Sequence, residues 1–398
     1  MARSLTKESI PTGWKYDLLD KFATRCSGHT PSKSFPEYWN GGIKWISLSD
    51  SFRLDQGYVY KTEKEISEAG IANSSAELHP AETVVLSRDA GIGKSGVMAV
   101  PMAVSQHFIA WKCDNSEKLN SWFLYNWLQL NKAEFERQAV GSTIKTIGLP
   151  YFKKLKIAVP PYTEQKKIAQ ILSTWDKAIT TTEQLLANSQ QQKKALMQQL
   201  LTGKKRLLDK NGVRFSGEWK HQGLASLCTI KTGKKDVNEG NPEGNYPFFT
   251  CASKPTRSDS YSYDCEALLI AGNGMLGKTH YFNGKFEAYQ RTYILSEFNG
   301  IDVPFLHQYI LYWLMRDIER EKQHGAMPYI KLGLLQNFKV LLPCIAEQQK
   351  IAAVLSTADK EITALQQKLD ALKQEKKALM QQLLTGKRQV KIDNKEVA

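Results

Sequence analysis

The sequence is poor in cysteine and histidine, with six of the first and seven of the second in 398 residues. Cys26, Cys113, Cys228, Cys251, Cys265 and Cys344 are scattered, with no Cys-x-x-Cys pair. Neither a disulfide framework nor a zinc site is expected, and the usage fits a reducing cytosol. The histidines show no metal-ligand spacing. No run approaches roughly 18 uninterrupted apolar residues, so no membrane span is expected. The opening Met1-Ala2-Arg3-Ser4-Leu5-Thr6-Lys7-Glu8 lacks the apolar stretch of a secretory signal, which again points to the cytoplasm. Acidic residues are also short, 40 against 54 Lys and Arg, for a net charge of +14. Such an excess suits a polyanionic partner. Much of it, however, lies in two segments rich in lysine near helix ends, where cations suit the helix dipole in any protein.

What the chain does have is a long sentence said twice. Residues 160–207 and 343–390 align without a gap, and more than half of the paired positions are identical. The run from Lys193 to Lys204 returns whole as Lys376 to Lys387. Each copy closes a larger segment, so the order is globular segment, repeat, globular segment, repeat. A molecule of two like halves reads targets made of two like halves.

Within each copy, apolar residues recur at alternating steps of four and three. The seam runs through Ile168, Leu172, Ile179 and Leu186 in the first and Ile351, Leu355, Ile362 and Leu369 in the second. This period of 3.5 predicts a coiled coil. Pro160-Pro161 and Pro343 stand just upstream, and Gly203 and Gly386 sit where a helix would stop. Both seams carry a lysine at the same step, Lys193 and Lys376, which costs stability and fixes register. About 38 helical residues make a rod of about 57 Å. Antiparallel pairing spares the chain a return along the rod, because only a short linker precedes the second globular segment. Rod length would then set the separation of the two segments. One heptad added to each rod would widen a split target.

The globular segments echo one another more weakly. Trp14-Lys15 matches Trp219-Lys220, and the run from Glu82 to Leu86 matches that from Glu266 to Ile270, each followed by a glycine-rich turn. Lys156 to Pro160 matches Lys339 to Pro343. Short apolar runs between turns predict mixed α and β, with helices over 121–139 and 303–323. The fold class is therefore α+β: two similar α/β recognition domains separated by two long helices in an antiparallel coiled coil, with pseudo-two-fold symmetry. The boundaries fall at 1–159, 160–203, 204–342, 343–386 and a tail, 387–398.

Two motifs suggest chemistry and fail on context. Residues 272–279 satisfy the P-loop pattern literally, but Tyr281 to Phe286, containing Asn283-Gly284, reads as a hairpin and not the required helix. The matching turn in the first half has Arg88 where the first glycine must be. Val159-Pro160-Pro161-Tyr162 is like an amino-methyltransferase signature, yet Val159 replaces the polar residue that would hold the target amine. No catalytic constellation and no metal site are expected. A P-loop ATPase and a coiled-coil scaffold that never touches DNA are the rival readings.

Pro-x-x-x-Glu-Gln followed by Ile-Ala, at 160–169 and 343–352, together with the alternation of segments, resembles the specificity subunit of type I restriction-modification enzymes. The resemblance covers nearly the whole chain. It implies a non-catalytic subunit that binds a bipartite double-stranded DNA target. Two methylation subunits and two restriction subunits are the implied partners, and S-adenosylmethionine, ATP and Mg belong to them. It does not supply base-contacting residues. Residue chemistry nominates Arg88 and Arg291 for guanine edges. Lys94 and Lys278 lie on the glycine-rich turns, and Lys145, Lys231, Lys234, Lys235 and Lys331 are candidates for phosphate. Tyr281 and Tyr289 read as packing residues.

Overall fold

The computed structural model describes residues 10–113, 117–141, 145–321 and 328–391. It divides into two compact units, one taking the chain up to Thr182 and from Lys368 on, the other Glu183–Gln367. Each unit thus holds one globular segment, the start of the helix that follows it, and the end of the other long helix.

Unit 1 contains β1 (Lys15–Leu18), β2 (Thr24–Ser27), β3 (Trp39–Ile46), β4 (Tyr58–Val59), β5 (Lys64–Ile66), α1 (Glu68–Ala72), β6 (Val84–Ser87), β7 (Ser95–Met98), β8 (Ala103–Val104), β9 (Phe108–Lys112), α2 (Ser121–Leu130), α3 (Lys132–Gln138), α4 (Leu149–Lys153), β10 (Lys156–Val159) and the start of α5 (Tyr162–Leu200). Its main sheet has the order β2-β9-β6-β7-β4, parallel only at β4 and β7. β1 pairs antiparallel with β10, and β5-β3-β8 form a small third sheet.

Unit 2 contains the end of α5, then β11 (Lys220–Gly223), α6 (Leu224–Leu227), β12 (Thr229–Thr232), β13 (Tyr246–Phe249), β14 (Thr256–Ser258), β15 (Tyr263–Ala271), β16 (Thr279–Ala288), β17 (Thr292–Ser296), α7 (Val303–Glu321), α8 (Leu332–Asn337), β18 (Lys339–Leu342) and the start of α9 (Ile345–Leu383). Its main sheet runs β12-β17-β15-β16-β13-β14, again parallel only at β13 and β16. Strand for strand, the first five repeat the order in unit 1. The sequence echoes at 82–86 and 266–270 are β6 and β15, the central strands, buried because both faces are covered.

Two expectations need correction. The helix read over 121–139 is two helices, broken at Asn131, whose side-chain amide donates to the Trp127 carbonyl and so ends α2. The segment Tyr281 to Phe286 is not a hairpin. It runs straight through β16, with Asn283 opposite Glu266 and Gly284 opposite Cys265. The reversal lies earlier, between β15 and β16. The helix expected over 303–323 is α7; residues 322 and 323 lie outside the described residues.

The glutamine of the Pro-x-x-x-Glu-Gln motif is a clamp. Gln165 Oε1 accepts from Asn120 N (2.7 Å), while its Nε2 donates to the Pro160 and Lys118 carbonyls, each 2.9 Å away. Asn120 in turn caps α2 through the N–H groups of Trp122 and Phe123. Unit 2 repeats the device: Gln348 Oε1 accepts from Asp302 N and Nε2 donates to Pro343 O, both at 2.9 Å, and Asp302 caps α7 through Phe305 N. One side chain therefore fixes the long helix to the domain helix before it.

The heptad seam is buried where it was expected. Ile168, Leu172, Leu186, Ile351, Leu355 and Leu369 are buried, and Ile179 and Ile362 half-buried. In unit 1, Ile168 and Leu172 share a core with Met380, Leu383 and Leu384 of the other helix. Asp176 meets Lys376 at 2.5 Å, and nearer the helix start Glu164 accepts from Val390 N. Partners recede along one helix as the other advances, so the pieces pack antiparallel. Unit 2 does the same, with Ser189 on Glu361, Lys193 on Asp359 at 2.5 Å, and Met197 and Leu200 sharing a core with Ile351 and Leu355. The seam lysines are thus ion-paired. Part-exposed pairs of this kind contribute at most about 1 kcal/mol, so their use is register. Gly203 and Gly386 end the helices with φ of +71° and +70°, a left-handed stop that favours glycine.

The motif glutamates differ between the units. Glu347 is fully buried and held by Arg206 through two nitrogens, at 2.7 and 2.6 Å. Glu164 is also buried, and the burial raises its pKa despite the Val390 N–H. A carboxyl with a raised folded pKa is most stabilising when protonated, and that contribution is lost as pH rises through the raised value. Glu164→Gln is therefore expected to raise the melting temperature of unit 1 at pH 7, with a smaller effect as pH falls toward 4.5, the usual glutamate value. Melting curves at both pH values check this; a destabilisation that is larger at pH 7 than at pH 4.5 would show instead that the ionised carboxylate is needed.

Candidate nucleic-acid interface

The glycine-rich turns join β6 to β7 and β15 to β16, and both are tied down by the same backbone bonds. In unit 2, Gly277 N donates to Ala271 O, Ala271 N to Lys278 O and Lys278 N to Met275 O, each at 2.9 Å. In unit 1 the same three bonds run Gly93 to Ser87, Ser87 to Lys94 and Lys94 to Gly91, at 3.0, 2.8 and 3.1 Å. Gly91, Gly93, Gly274 and Gly277 supply the positive φ these turns require. The turn is then stitched to two other segments. Gly272 N donates to Arg291 O and accepts Ile330 N on its carbonyl. Arg88 N donates to His107 O and accepts Ile147 N on its carbonyl. One frame thus presents three segments, and the side chains on it differ between the units.

In unit 2 the frame gathers several of the nominated cations. Lys278, Arg291 and Lys331, the last beside Ile330, are exposed. A neighbouring loop carries exposed Lys234 and is joined to the two residues flanking Arg291 by Gly233 N to Thr292 O and Gln290 N to Lys235 O, both 3.0 Å. Lys235 itself turns inward, 2.7 Å from Ser260 Oγ and 3.5 Å from the fully buried carboxylate of Glu287. It neutralises a buried charge, a structural task. Lys231 pairs with Glu297 at 3.4 Å on β12, both exposed. Tyr281 bonds Glu266, and Tyr289 is half-buried.

In unit 1, Arg88 braces the frame: its Nε donates to Ile147 O at 3.1 Å and lies 3.8 Å from Asp89. Lys94 Nζ donates to Ser51 O at 3.1 Å. Lys94 and exposed Lys145 do come together, lining a shallow cleft of about 300 Å³ with Lys132 and Glu136. Lys132 is paired with Asp55 at 2.6 Å.

The sequence reading missed His107, which occupies the place of Arg291. Its Nδ1 is 2.5 Å from Asp89 Oδ2, and Asp89 also accepts from the Thr146 hydroxyl, so the ring is oriented. It missed Lys132, and exposed Tyr329 beside Ile330. No one-dimensional signal finds these; the hairpin register that gathers them joins residues far apart in the chain.

The P-loop match is a hairpin turn. Ile270 pairs with Thr279 across antiparallel strands, and no helix follows to offer its amides to a phosphate. The seam residues described above pack the two long helices against each other within each unit. Among the described residues no helix is long and apolar enough to cross a membrane.

Residues 11–188 and 216–374 match the family model described as the type I restriction modification DNA specificity domain. The chain belongs to that family. Among curated relatives, the type I restriction enzyme EcoprrI specificity subunit of Escherichia coli is 26% identical over 86% of each chain. The EcoDI specificity subunit of the same organism is 36% identical over 42% of this chain and 37% of its own length. The MjaIX specificity subunit of Methanocaldococcus jannaschii is 21% identical over 96% of this chain and 95% of its own. Among solved structures, the type I S subunit from M. genitalium shares the fold at a TM-score of 0.65, with 18% identity over 96% of this chain and 98% of that one. The type I specificity fold is therefore α+β, with two sheet-rich domains and two long helices, as the repeat predicts.

Proposed function

We propose that this chain selects the DNA target of a type I restriction-modification system, each recognition domain reading one half of a bipartite duplex site. It adds no catalytic group of its own. It presents the site to two methylation subunits, and two restriction subunits join for cleavage. S-adenosylmethionine, ATP and Mg are bound by those partners, and the complex works in the cytoplasm.

The observation that carries this reading is the shared frame with unlike side chains. The same backbone bonds hold the turn, the crossing strand and the third segment in both units, yet they offer Arg291, Lys278 and Lys331 in one and His107, Lys94 and Lys145 in the other. A common frame with changed readers suits two halves of a target with different sequences. Family membership supports it independently.

Single-molecule sequencing of adenine methylation tests it, in a cell expressing this chain with its methylation subunit. A split motif that disappears when this gene is deleted is the expected result. An unchanged methylation pattern, with both proteins soluble and active, would sink the reading. In binding assays with the methylation partner, Lys331→Ala and Lys145→Ala are each expected to reduce the slope of log affinity against log salt by about 1 and to weaken all sequences alike. Unchanged slopes would remove both residues from the phosphate contacts.

A further inference from the structure

A cluster in unit 1 outside the DNA-facing frame brings together a thiol, a carboxylate and an imidazole. Cys26 lies on β2, and Glu77 and His79 lie just before β6. One possible ligand atom from each lies within 4.8 Å of the others. The sequence expectation of no metal site rested on spacing along the chain, which this convergence escapes.

His79 is the informative member. Its side chain is fully buried, and neither ring nitrogen has a hydrogen-bond partner among the described residues. A buried polar group left so is costly and calls for an explanation. The ring cannot easily leave, because His79 exchanges two backbone bonds with Met102, at 2.8 and 3.0 Å. A neutral imidazole nitrogen with no hydrogen-bond partner is a lone pair open to a ligand. Glu77 Oε2 is 4.0 Å from His79 Nδ1.

The cluster also attracts cations. Lys112 Nζ lies 3.4 Å from Glu77 Oε2. A divalent ion would take the place of this ammonium and also satisfy His79, which the ammonium does not.

We propose that Cys26, Glu77 and His79 form a zinc site. A sulfur, nitrogen and oxygen set selects against Mg and Ca, which prefer oxygen alone, and zinc accepts all three donors. Water completes the coordination. The ion's role is to tie β2 to the segment leading into β6, the central strand of the sheet. No chemical step is assigned to it.

The test uses the full chain, purified without chelators. About one zinc per chain is expected by elemental analysis. Cobalt(II) added to the stripped protein is expected to give a thiolate-to-cobalt charge-transfer band, the signature of a cysteine ligand. Cys26→Ser should abolish that band, and Cys251→Ser and Cys344→Ser should keep it. Glu77 is exposed, so Glu77→Gln should fold normally and bind at least roughly tenfold more weakly. No band in the natural chain, or a band that survives Cys26→Ser, overturns the proposal. Should Cys26→Ser misfold, Glu77→Gln decides, and unchanged affinity overturns it.

Discussion

Arg206→Ala is expected to destabilise unit 2 by about 3–5 kcal/mol, the cost of leaving a buried charge without its partner. Glu347 is fully buried, while the Arg206 side chain is 19% exposed. The guanidinium does three jobs. It holds both carboxylate oxygens, donates to the Gly217 carbonyl at 2.9 Å, and lies over the Trp219 ring at 5.6 Å from its centroid. It thereby locks the chain just after Gly203 to the motif that begins α9. A domain is stable by only about 5–15 kcal/mol, so the loss is a large share of the total. Hydrogen exchange read by mass spectrometry resolves it: β11, β18 and the start of α9 should lose protection while unit 1 keeps its own. Arg206→Lys keeps the charge but loses the fork, and should fall between. Adding Glu347→Gln to Arg206→Ala removes the stranded charge and should recover more than half of the loss. Protection unchanged in Arg206→Ala would show the pair to be screened by solvent.

Much of this architecture is legible in the sequence because the long helices are governed by local rules. A 3.5-residue period, upstream prolines and a stop glycine fix where α5 and α9 run, and the seam residues are buried accordingly. The matched lysines pointed to register, and Asp176 and Asp359 supply what they pair with. The frame of the recognition domains was less legible. Arg88 looked like a guanine reader on charge alone, but its Nε is committed to the Ile147 carbonyl, a contact between residues 59 apart in the chain. Lys235 looked like a phosphate grip, and instead it compensates Glu287. Asn283-Gly284 carries a strong local turn signal, and continuous pairing with β15 from Thr279 to Phe286 overrides that preference. The difference between the motif glutamates was invisible for the same reason. Repeat alignment puts Gln389 opposite Arg206, and only the fold shows that this position faces a buried carboxylate in unit 2.

Arg291→Ala is expected to alter one half of the methylated motif and leave the other half intact. Arg291 is exposed, its backbone carbonyl is held by Gly272 N, and so its side chain stands on a rigid base. Arginine can make two bonds to a guanine edge, and losing such a pair costs about 1–3 kcal/mol, or about 5- to 150-fold in discrimination. The change should relax the preference at one position rather than weaken all sites, which separates it from the lysine variants. His107→Ala is the counterpart in unit 1. The ring held by Asp89 sits at the same place on the same frame, so its loss should relax the other half-site. Asp89→Asn tests positioning: it keeps the bonding shape but withdraws the charge that orients the ring, and its effect should fall on the same base as that of His107→Ala. Methylation motifs read from cells carrying each variant distinguish the outcomes. If Arg291→Ala and His107→Ala leave both half-sites and the methylation rate unchanged, this strand position only carries the frame. The readers would then be on the turn and the third segment, where Lys278 and Tyr329 are exposed.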